Sequence, residues 1–176
     1  MPSSIALLRG INVSGKNKIR MAELKSLFED LGCTSVATYL QSGNVVYDST
    51  KPVTAQDVQA AISNQLELNV PVITISADEL AQIIQNNPFL KKGAEPAHCY
   101  VTFLWETPTP KAVTDCAVPN NETGRFTIAD NTIYVHCPDG YGRTKIHTVF
   151  FEKKLGLLAT TRNWKTVNAL LELSKQ

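Results

Sequence analysis

The alternation of hydrophobic and polar residues over residues 1–76 predicts the element order β-α-β-β-α-β. The apolar run SIALL predicts a buried strand, and apolar residues at helical spacing over 21–31 predict the first helix. SVATYLQ and NVVYD are strand-like runs separated by Ser42 and Gly43, which is a hairpin signal. Thr54 is a suitable N-cap for a second helix, and VPVITIS closes the segment as a strand.

The same order is predicted again over residues 98–176. HCYVTFLW is the first strand, RFTIA and NTIYVHC form a hairpin, and LLATT is the last strand. A short helix precedes the hairpin, a second is expected over 144–155, and an additional helix begins at Trp164. Residues 77–97 are predicted to be a linking helix and loop, with the helix ended by Pro88.

Two split βαβ units of this kind are the ferredoxin-like motif, in which two helices cover one face of an antiparallel sheet. The sequence therefore predicts an α+β protein built from two ferredoxin-like βαββαβ subdomains in tandem. The predicted boundaries are 1–76 for the first subdomain, 77–97 for the linker, and 98–176 for the second subdomain with its C-terminal helix. This duplication is inferred from element order, because sequence identity between the halves is negligible.

The distribution of charge is more informative than its total. The chain has 176 residues and a net charge of +1, which is not typical of a nucleic-acid-binding protein. However, residues 1–20 carry four bases and no acid, and residues 140–165 carry six bases and one acid. If these two segments meet in space, one face of a nearly neutral protein is strongly positive.

No apolar run approaches the roughly 20 residues that span a membrane, and the N-terminus has no signal-peptide pattern. The four cysteines are scattered, without a CxxC pair. We therefore expect a cytoplasmic protein with reduced thiols and no membrane association.

The stretch RGINVSGKNK comes one residue short of a phosphate-binding P-loop. Gly10, Gly15 and Lys16 are in register with the pattern, but Asn17 stands where the magnesium-binding hydroxyl belongs. The apolar periodicity of the following helix also begins late, at Met21. These departures argue against a Walker NTPase, although two glycines, polar side chains and lysines remain suitable for an anion.

The second basic segment, GYGRTKIHTVFFEKKLGLLATTRNWKTV, places cations before two predicted helix starts. Arg143 and Lys145 lie beside the first start, which Thr144 is expected to cap. Arg162 lies before the second start, which Asn163 is expected to cap. Hydroxyls and a guanidinium near a helix N-terminus can hold phosphate or carboxylate. The alternative is ordinary capping, with Trp164 in the core.

Several motifs together resemble a bacterial family of unknown function, DUF1697. They are ALLRGINVSGKNKIRMAELKSLFEDLG, TYLQSGNVVYDS, YGRTK and FFEKKLGLLATTRNWKTV, and the resemblance covers essentially the whole chain. It implies a duplicated ferredoxin-like fold and no established activity. The recognisable stretches are largely basic and polar loops, which core packing does not require in such specific form. We take this as support for a shared site.

The leading hypothesis is a module that binds an anionic small molecule or nucleic acid through both basic segments, without a cofactor. Nucleotides and RNA phosphates are the expected ligands, with Trp164 or Tyr141 available for stacking on a base. The candidate ligand-binding residues are Arg9, Asn12, Lys16, Lys18, Ser42, Asn44, Arg143, Lys145, Thr161, Arg162 and Trp164.

Three alternatives stay open. An enzyme acting on a phosphorylated or carboxylated small molecule is one, although no Ser-His-Asp order, HExxH motif or carboxylate cluster is present.

A metal site is the second, because the pair HC occurs twice, at His98-Cys99 and His136-Cys137. Adjacent strand residues point to opposite faces, so at most two of these four residues can share a face. A structural zinc site takes four ligands. We therefore predict no metal. A protein-interaction module with exposed sheet edges is the third.

Overall fold

The computed structural model describes residues 2–176, and its contacts divide the chain into two units. The first unit contains residues 2–82 together with 168–176, and the second contains 83–167. The sequence-based boundaries instead placed the C-terminal helix wholly with the second subdomain. None of the helices formed by residues 2–176 combines the length and the apolar composition that a membrane span requires.

The first unit has the predicted β-α-β-β-α-β order. Its elements are β1 (Ser3–Leu8), α1 (Met21–Asp30), β2 (Thr34–Thr38), β3 (Asn44–Asp48), α2 (Ala55–Leu66) and β4 (Val72–Ser76). The antiparallel sheet has the order β2-β3-β1-β4. In the central strand, Ile5 lies opposite Val46 on one side and Ile75 on the other.

Both helices of the first unit pack on one sheet face because their apolar residues recur at helical spacing. Leu24, Leu27 and Phe28 of α1 are buried, and α2 buries Val58 and Ile62. These side chains belong to one hydrophobic cluster with alternate residues of the strands, which are Ala6, Leu8, Val45, Tyr47 and Val72.

The second unit repeats this topology. Its elements are β5 (Cys99–Leu104), α5 (Pro110–Asp115), β6 (Arg125–Ala129), β7 (Thr132–His136), α6 (Thr148–Leu155) and β8 (Ala159–Asn163). The sheet order is β6-β7-β5-β8, equivalent to that of the first unit. Phe151 and Leu155 of α6 pack with Leu104, Ile133 and Val135 in its core. The predicted tandem of two ferredoxin-like subdomains is therefore confirmed.

Three further helices complete the secondary structure of the described residues. They are α3 (Ala77–Gln85), α4 (Pro88–Lys91) and α7 (Trp164–Ser174), with 3-10 turns at Pro96–His98 and Tyr141–Arg143. Pro88 was expected to end the linking helix, but α3 ends at Gln85 and Pro88 begins α4. Asn87 caps α4, because its Oδ1 accepts from the N–H of Phe89 at 3.0 Å. A proline fits this first position, where an N–H has no helical partner.

The helix expected over 144–155 begins four residues later, at Thr148. His147 is its N-cap, with Nδ1 accepting from the N–H of Phe150 at 3.2 Å. Thr144 was the expected cap, but its hydroxyl hydrogen-bonds to Glu122 instead. The expected cap at Asn163 is confirmed, since Asn163 Oδ1 accepts from the N–H of Thr166 at 2.8 Å.

Candidate functional site

The opening loop of the first unit is a small hairpin. Ser14 and Gly15 both have positive φ, at 51° and 73°, and the N–H of Lys16 donates to Val13 O at 2.9 Å. Two successive positive φ values are the signature of a type I′ turn, which glycine and small polar residues favour. The glycine of the near-P-loop pattern therefore serves a tight turn.

In a P-loop the backbone enters a helix directly after the lysine. The backbone after Lys16 does not. Helix α1 begins at Met21. Asn17, which occupies the position of the magnesium-binding hydroxyl, donates from Nδ2 to Gly10 O at 3.0 Å and closes the loop on itself. The loop is therefore a closed hairpin and does not have the geometry of a Walker site.

Asn12 connects this hairpin to the neighbouring loop over residues 39–43. Its Nδ2 donates to Ile19 O at 3.0 Å and to Gln41 O at 2.7 Å, and its Oδ1 accepts from the N–H of Ile19 at 2.9 Å. The side-chain amide predicted to bind ligand is thus engaged in holding two loops together. Its positive φ of 53° is one that asparagine tolerates better than most residues.

Gly43 is required by the close approach of this second loop to the core. A Cβ at this position would lie 2.7 Å from Leu8 Cβ and 2.8 Å from Ile11 Cδ1, and φ is +89°. Gly43 O also accepts from the N–H of Leu8 at 2.9 Å. The motif QSGN was expected to be unnecessary for packing, and this expectation is wrong for its glycine.

Asn44 and Ser42 shape the same loop from within. Asn44 is completely buried, and its Nδ2 donates to Tyr39 O at 2.7 Å and to Ser42 Oγ at 3.0 Å. The N–H of Tyr39 in turn donates to Asn44 O at 2.9 Å. The structure thus gives both predicted ligand-binding residues a structural role, and a ligand contact from either remains a prediction.

An open cavity of about 810 Å³ lies beside these two interlocked loops. Its lining residues are Asn12, Gly15, Lys18, Ile19, Arg20, Glu23 and Gln41. Lys18 and Arg20 are exposed cations, and Glu23 is the carboxylate of the lining, with Oε2 accepting from the N–H of Arg20 at 3.4 Å. We call this the loop cavity. It combines a net positive lining with a frame held by the hydrogen bond between Asn12 and Gln41.

Two other predicted cations of the first unit lie outside that lining. Lys16 is exposed at the hairpin turn, next to the lining residue Gly15. Arg9 is half-buried just after β1, with its N–H donating to Pro71 O at 3.0 Å. The structure therefore brings Lys18 and Arg20 together in one lining, whereas Lys16 lies outside it.

In the second unit, Glu122 holds the YGRTK segment. Its Oε2 accepts from the N–H of Lys145 at 2.8 Å, and its Oε1 accepts from the N–H of Gly124 at 2.8 Å and from the hydroxyl of Thr144 at 3.1 Å. Slight burial acts to raise the pKa of Glu122, but these hydrogen bonds outweigh it and lower the pKa. No motif marks Glu122, so the sequence did not predict this role.

The predicted cations Arg143 and Lys145 are both exposed on this unit. They line a cavity of about 160 Å³ together with Glu122 and Asp139. Lys145 Nζ donates to Asn120 O at 3.0 Å, which restricts its side chain. The two cations of this smaller cavity are therefore accompanied by two carboxylates.

Thr161 belongs to a chain of hydroxyl groups inside the second unit. Its Oγ1 lies 2.8 Å from Thr102 Oγ1 and 2.8 Å from Thr148 Oγ1. The chain continues to Tyr141, whose hydroxyl accepts from the N–H of Thr148 at 3.1 Å. Thr161 therefore ties β5 and β8 to the start of α6.

Arg162 and Trp164 are buried, with relative exposures of 8% and 7%. The guanidinium Nη1 of Arg162 donates to Thr160 Oγ1 at 2.7 Å and to Thr161 O at 3.0 Å. Burial lowers the pKa of Arg162 to about 10, so the side chain stays protonated at neutral pH. The sequence predicted Arg162 as a ligand-binding residue, and the structure places it among the buried residues of β8.

The two HC pairs are brought together as the antiparallel pairing of strands predicts. Cys99 lies opposite His136 in the sheet, and the rings of His98 and His136 are 6.4 Å apart. Burial, followed by the nearby His98, lowers the pKa of His136. Within residues 2–176, no group of three or more His, Cys, Asp or Glu side chains is arranged to hold a metal ion.

The fold defines the class of the protein, an α+β tandem of two ferredoxin-like units. Within that class, the chain belongs to the family described as protein of unknown function (DUF1697), whose model matches residues 1–134. The family predicted from the motifs is therefore confirmed, although the motifs YGRTK and FFEKKLGLLATTRNWKTV lie beyond the matched residues.

A solved structure with the same fold is that of a conserved bacterial protein from Streptococcus pneumoniae. The two chains are 22% identical, each is covered over 98% of its length, and the TM-score is 0.68. At this identity the likeness shows the fold alone. No match was found among curated proteins.

Proposed function

We propose that this protein binds a phosphate-bearing anionic ligand in the loop cavity of the first unit. The observation that carries the proposal is the cavity of about 810 Å³ with Lys18 and Arg20 in its lining. Ligand cavities of this size, roughly 300–1,000 Å³, hold small molecules through a few well-placed polar groups. Lysine and arginine are suited to phosphate through charge and through donated hydrogen bonds.

The frame of the cavity supports binding because it is already organised. Asn12 fixes the hairpin to the loop containing Gln41, and Gly43 anchors that loop against Leu8 and Ile11. A frame fixed before binding reduces the entropy lost when a ligand is held. Polar groups that do not contact the ligand can therefore still set its affinity.

The first turn of α1 adds to the positive potential of the cavity. Arg20 immediately precedes the helix and Glu23 lies in its first turn, and both belong to the lining. The first N–H groups of a helix have no intrahelical partner and carry a partial positive charge. Glu23 opposes an anion, so its replacement by glutamine is expected to tighten binding.

The remaining predicted contacts enter the proposal in two groups. In the first unit, Lys16 and Arg9 add positive charge to that of the lining. Asn12, Ser42 and Asn44 hold the loops of the cavity in shape. Ligand contacts from the second unit stay predictions, and the residues concerned are Arg143, Lys145, Thr161, Arg162 and Trp164. That the cationic loops of both units line one groove stays a prediction, as does the cytoplasmic location.

A binding experiment with a charge-matched control tests the proposal. Calorimetric titration with inorganic pyrophosphate would compare wild type with K18A/R20A and with K25A/K51A. The control removes two exposed lysines of the same unit that are not part of the lining. We expect K18A/R20A to weaken binding about 10- to 100-fold, which corresponds to about 1.4–2.8 kcal/mol.

Equal weakening by both double variants would contradict the proposal, because it would show that overall charge and not the cavity governs affinity. Titration at two salt concentrations distinguishes a small ligand from nucleic acid. Nucleic acid binding weakens steeply with salt through counterion release, whereas a single phosphate group gives a shallow dependence.

A further inference from the structure

The strand β6 forms an open edge of the second sheet. It pairs with β7 on one side, and within residues 2–176 no strand pairs with its other side. Its register with β7 is unbroken, from Arg125 opposite His136 to Ala129 opposite Thr132. The side chains of Arg125, Thr127 and Ala129 are exposed. A regular edge strand of this kind is a template on which another strand can pair.

The hydrogen bonds of β7 show which backbone groups of β6 point outward. Asn131 O, just before β7, accepts from the N–H of Leu104 at 2.9 Å, so the odd-numbered positions of β7 bond to β5. The even-numbered positions therefore bond to β6, and their partners there are Arg125, Thr127 and Ala129. Phe126 and Ile128 consequently direct their N–H and C=O groups away from the sheet. In the part of the chain that the structure describes, no side chain bonds to these outward groups.

The last strand of each unit has an edge N–H that is occupied by a side chain. In β4 the N–H of Val72 donates to Gln59 Oε1 at 3.0 Å. In β8 the N–H of Ala159 donates to Glu152 Oε2 at 3.2 Å. A side chain bonded in this way competes with an incoming strand for the first position of the edge.

The strand β2, which is equivalent to β6 in the first unit, is irregular instead. Its register with β3 shifts between Thr34 and Ala37, and Ser35 in this segment has a φ of 51°. An irregularity of this kind bends an edge strand and disturbs its outward row of N–H and C=O groups. Among the edge strands of the described residues, β6 therefore stands out as regular and without a side-chain partner.

The sequence of β6, RFTIA, is complementary to itself when two copies run antiparallel. With Thr127 opposite Thr127 of a second copy, Phe126 lies opposite Ile128. Aromatic with β-branched pairs and threonine pairs are favourable across strands. In this register the outward N–H and C=O groups of Phe126 face those of Ile128 in the other copy, so all of them find partners.

Charge also favours an antiparallel copy over a parallel one. Arg125 begins the strand, and its Nη1 is held there by Glu122 O at 2.8 Å and Gly124 O at 2.7 Å. Asp130 directly follows the strand. Antiparallel pairing brings the start of each strand to the end of the other, so the cation of each copy approaches the carboxylate of the other. Parallel pairing would bring like charges together.

We propose that two copies of this protein associate by antiparallel pairing of their β6 strands, which joins the second sheets of both copies. The inference is independent of the anion site, so the variant K18A/R20A is expected to associate as wild type does. A pairing of five residues is a small interface. The dimer is therefore expected to be weak and to form at high protein concentration.

A charge at the centre of β6 tests the proposal. T127K places two lysines opposite each other at the symmetry axis, and like charges in that position destabilise a strand pair. The matched control is T34K, the same substitution at an exposed residue of the equivalent edge strand β2. Molar mass would be measured by sedimentation and light scattering from about 10 μM to about 1 mM protein. Circular dichroism at low concentration would verify that both variants fold.

We expect the molar mass of wild type and of T34K to rise with concentration towards twice the 19.3 kDa of one chain. We expect T127K to weaken association at least about 10-fold. A mixture of T127K with T127E should associate again, because opposite charges then meet at the axis. Amide hydrogen exchange at Phe126 and Ile128 should slow as wild type associates.

Wild type that stays monomeric over the whole range would overturn the inference. So would association that T127K leaves unchanged, or a T127K and T127E mixture that does not associate. Association that T34K blocks and T127K does not would overturn it in favour of the β2 edge.

Discussion

Replacing Gly43 by alanine tests the structural basis of the loop cavity. The added methyl would lie 2.7 Å from Leu8 Cβ and 2.8 Å from Ile11 Cδ1, and both side chains are buried at 0% and 1% exposure. Leu8 Cβ is attached directly to the backbone of β1, so it cannot move away by a rotamer change, and Ile11 Cδ1 is the end of a buried side chain. The hydrogen bond from the N–H of Leu8 to Gly43 O, at 2.9 Å, also holds the two backbones together. The methyl therefore has to displace core residues.

The expected destabilisation has two components. An alanine at φ of +89° costs about 1–2 kcal/mol relative to glycine. Overpacking of a well-filled core costs about 1–3 kcal/mol more. Together they predict a loss of about 3 kcal/mol, which for a protein of this size is roughly 6–12 °C in melting temperature.

Two other glycines separate these components. At Gly10, φ is +74° and nothing would lie within 4 Å of an added methyl group, so G10A measures backbone strain alone, about 1–2 kcal/mol. At Gly142 there is open space and no positive φ, so G142A is expected to be neutral or slightly stabilising. Differential scanning calorimetry of the three variants would give the comparison. Equal melting temperatures for G43A and G10A would refute the close-packing argument.

Three further substitutions have defined outcomes. N12A removes three hydrogen bonds that join the hairpin to Ile19 and Gln41, so we expect a loss of about 1–3 kcal/mol in denaturant unfolding and weaker pyrophosphate binding in titration. E122Q tests pH dependence: the lowered pKa of Glu122 gives stability that is present above its unfolded pKa and lost as pH falls through the folded pKa. The wild-type advantage in urea unfolding over E122Q should therefore shrink in acid, and a constant difference would contradict this. T161V interrupts the hydroxyl chain to Thr148, and should cost about 1–2 kcal/mol in unfolding; an unchanged midpoint would contradict the network.

The element order could be predicted from the sequence because local signals agree with the fold. Periodicity identified the helices and strands, and the capping boxes at Thr54 with Asp57 and at Ser76 with Glu79 both form. Such signals depend on residues within four positions of one another. They therefore survive in a single sequence without knowledge of tertiary contacts.

The start of α6 could not be predicted because it is decided by a distant residue. Glu122 engages the hydroxyl of Thr144 and the N–H of Lys145, which are 22 and 23 positions away. The segment is therefore held as a 3-10 turn and connection, and the helix begins at Thr148. Nothing in the local pattern around Thr144 indicates this partner.

The candidate site was predicted in part. The sequence identified Lys18 by its charge and placed it in a loop with Asn12, but it did not select Arg20, Glu23 or Gln41 as neighbours of one cavity. Conversely, the burial of Arg162 follows from its place in the strand pairing opposite Val101, which a charge count does not reveal. Loop-to-loop contacts such as Asn12 with Gln41 are long-range and have no periodic signal.

The most direct test of the anion-binding account is the chemical-shift response of backbone amides to inorganic pyrophosphate in a ¹⁵N-labelled sample. The account predicts saturable shifts at Gly15, Lys18, Arg20 and Gln41, and their loss in K18A/R20A but not in K25A/K51A. Saturable shifts confined to residues outside the loop cavity, or an undiminished response in K18A/R20A, would contradict it.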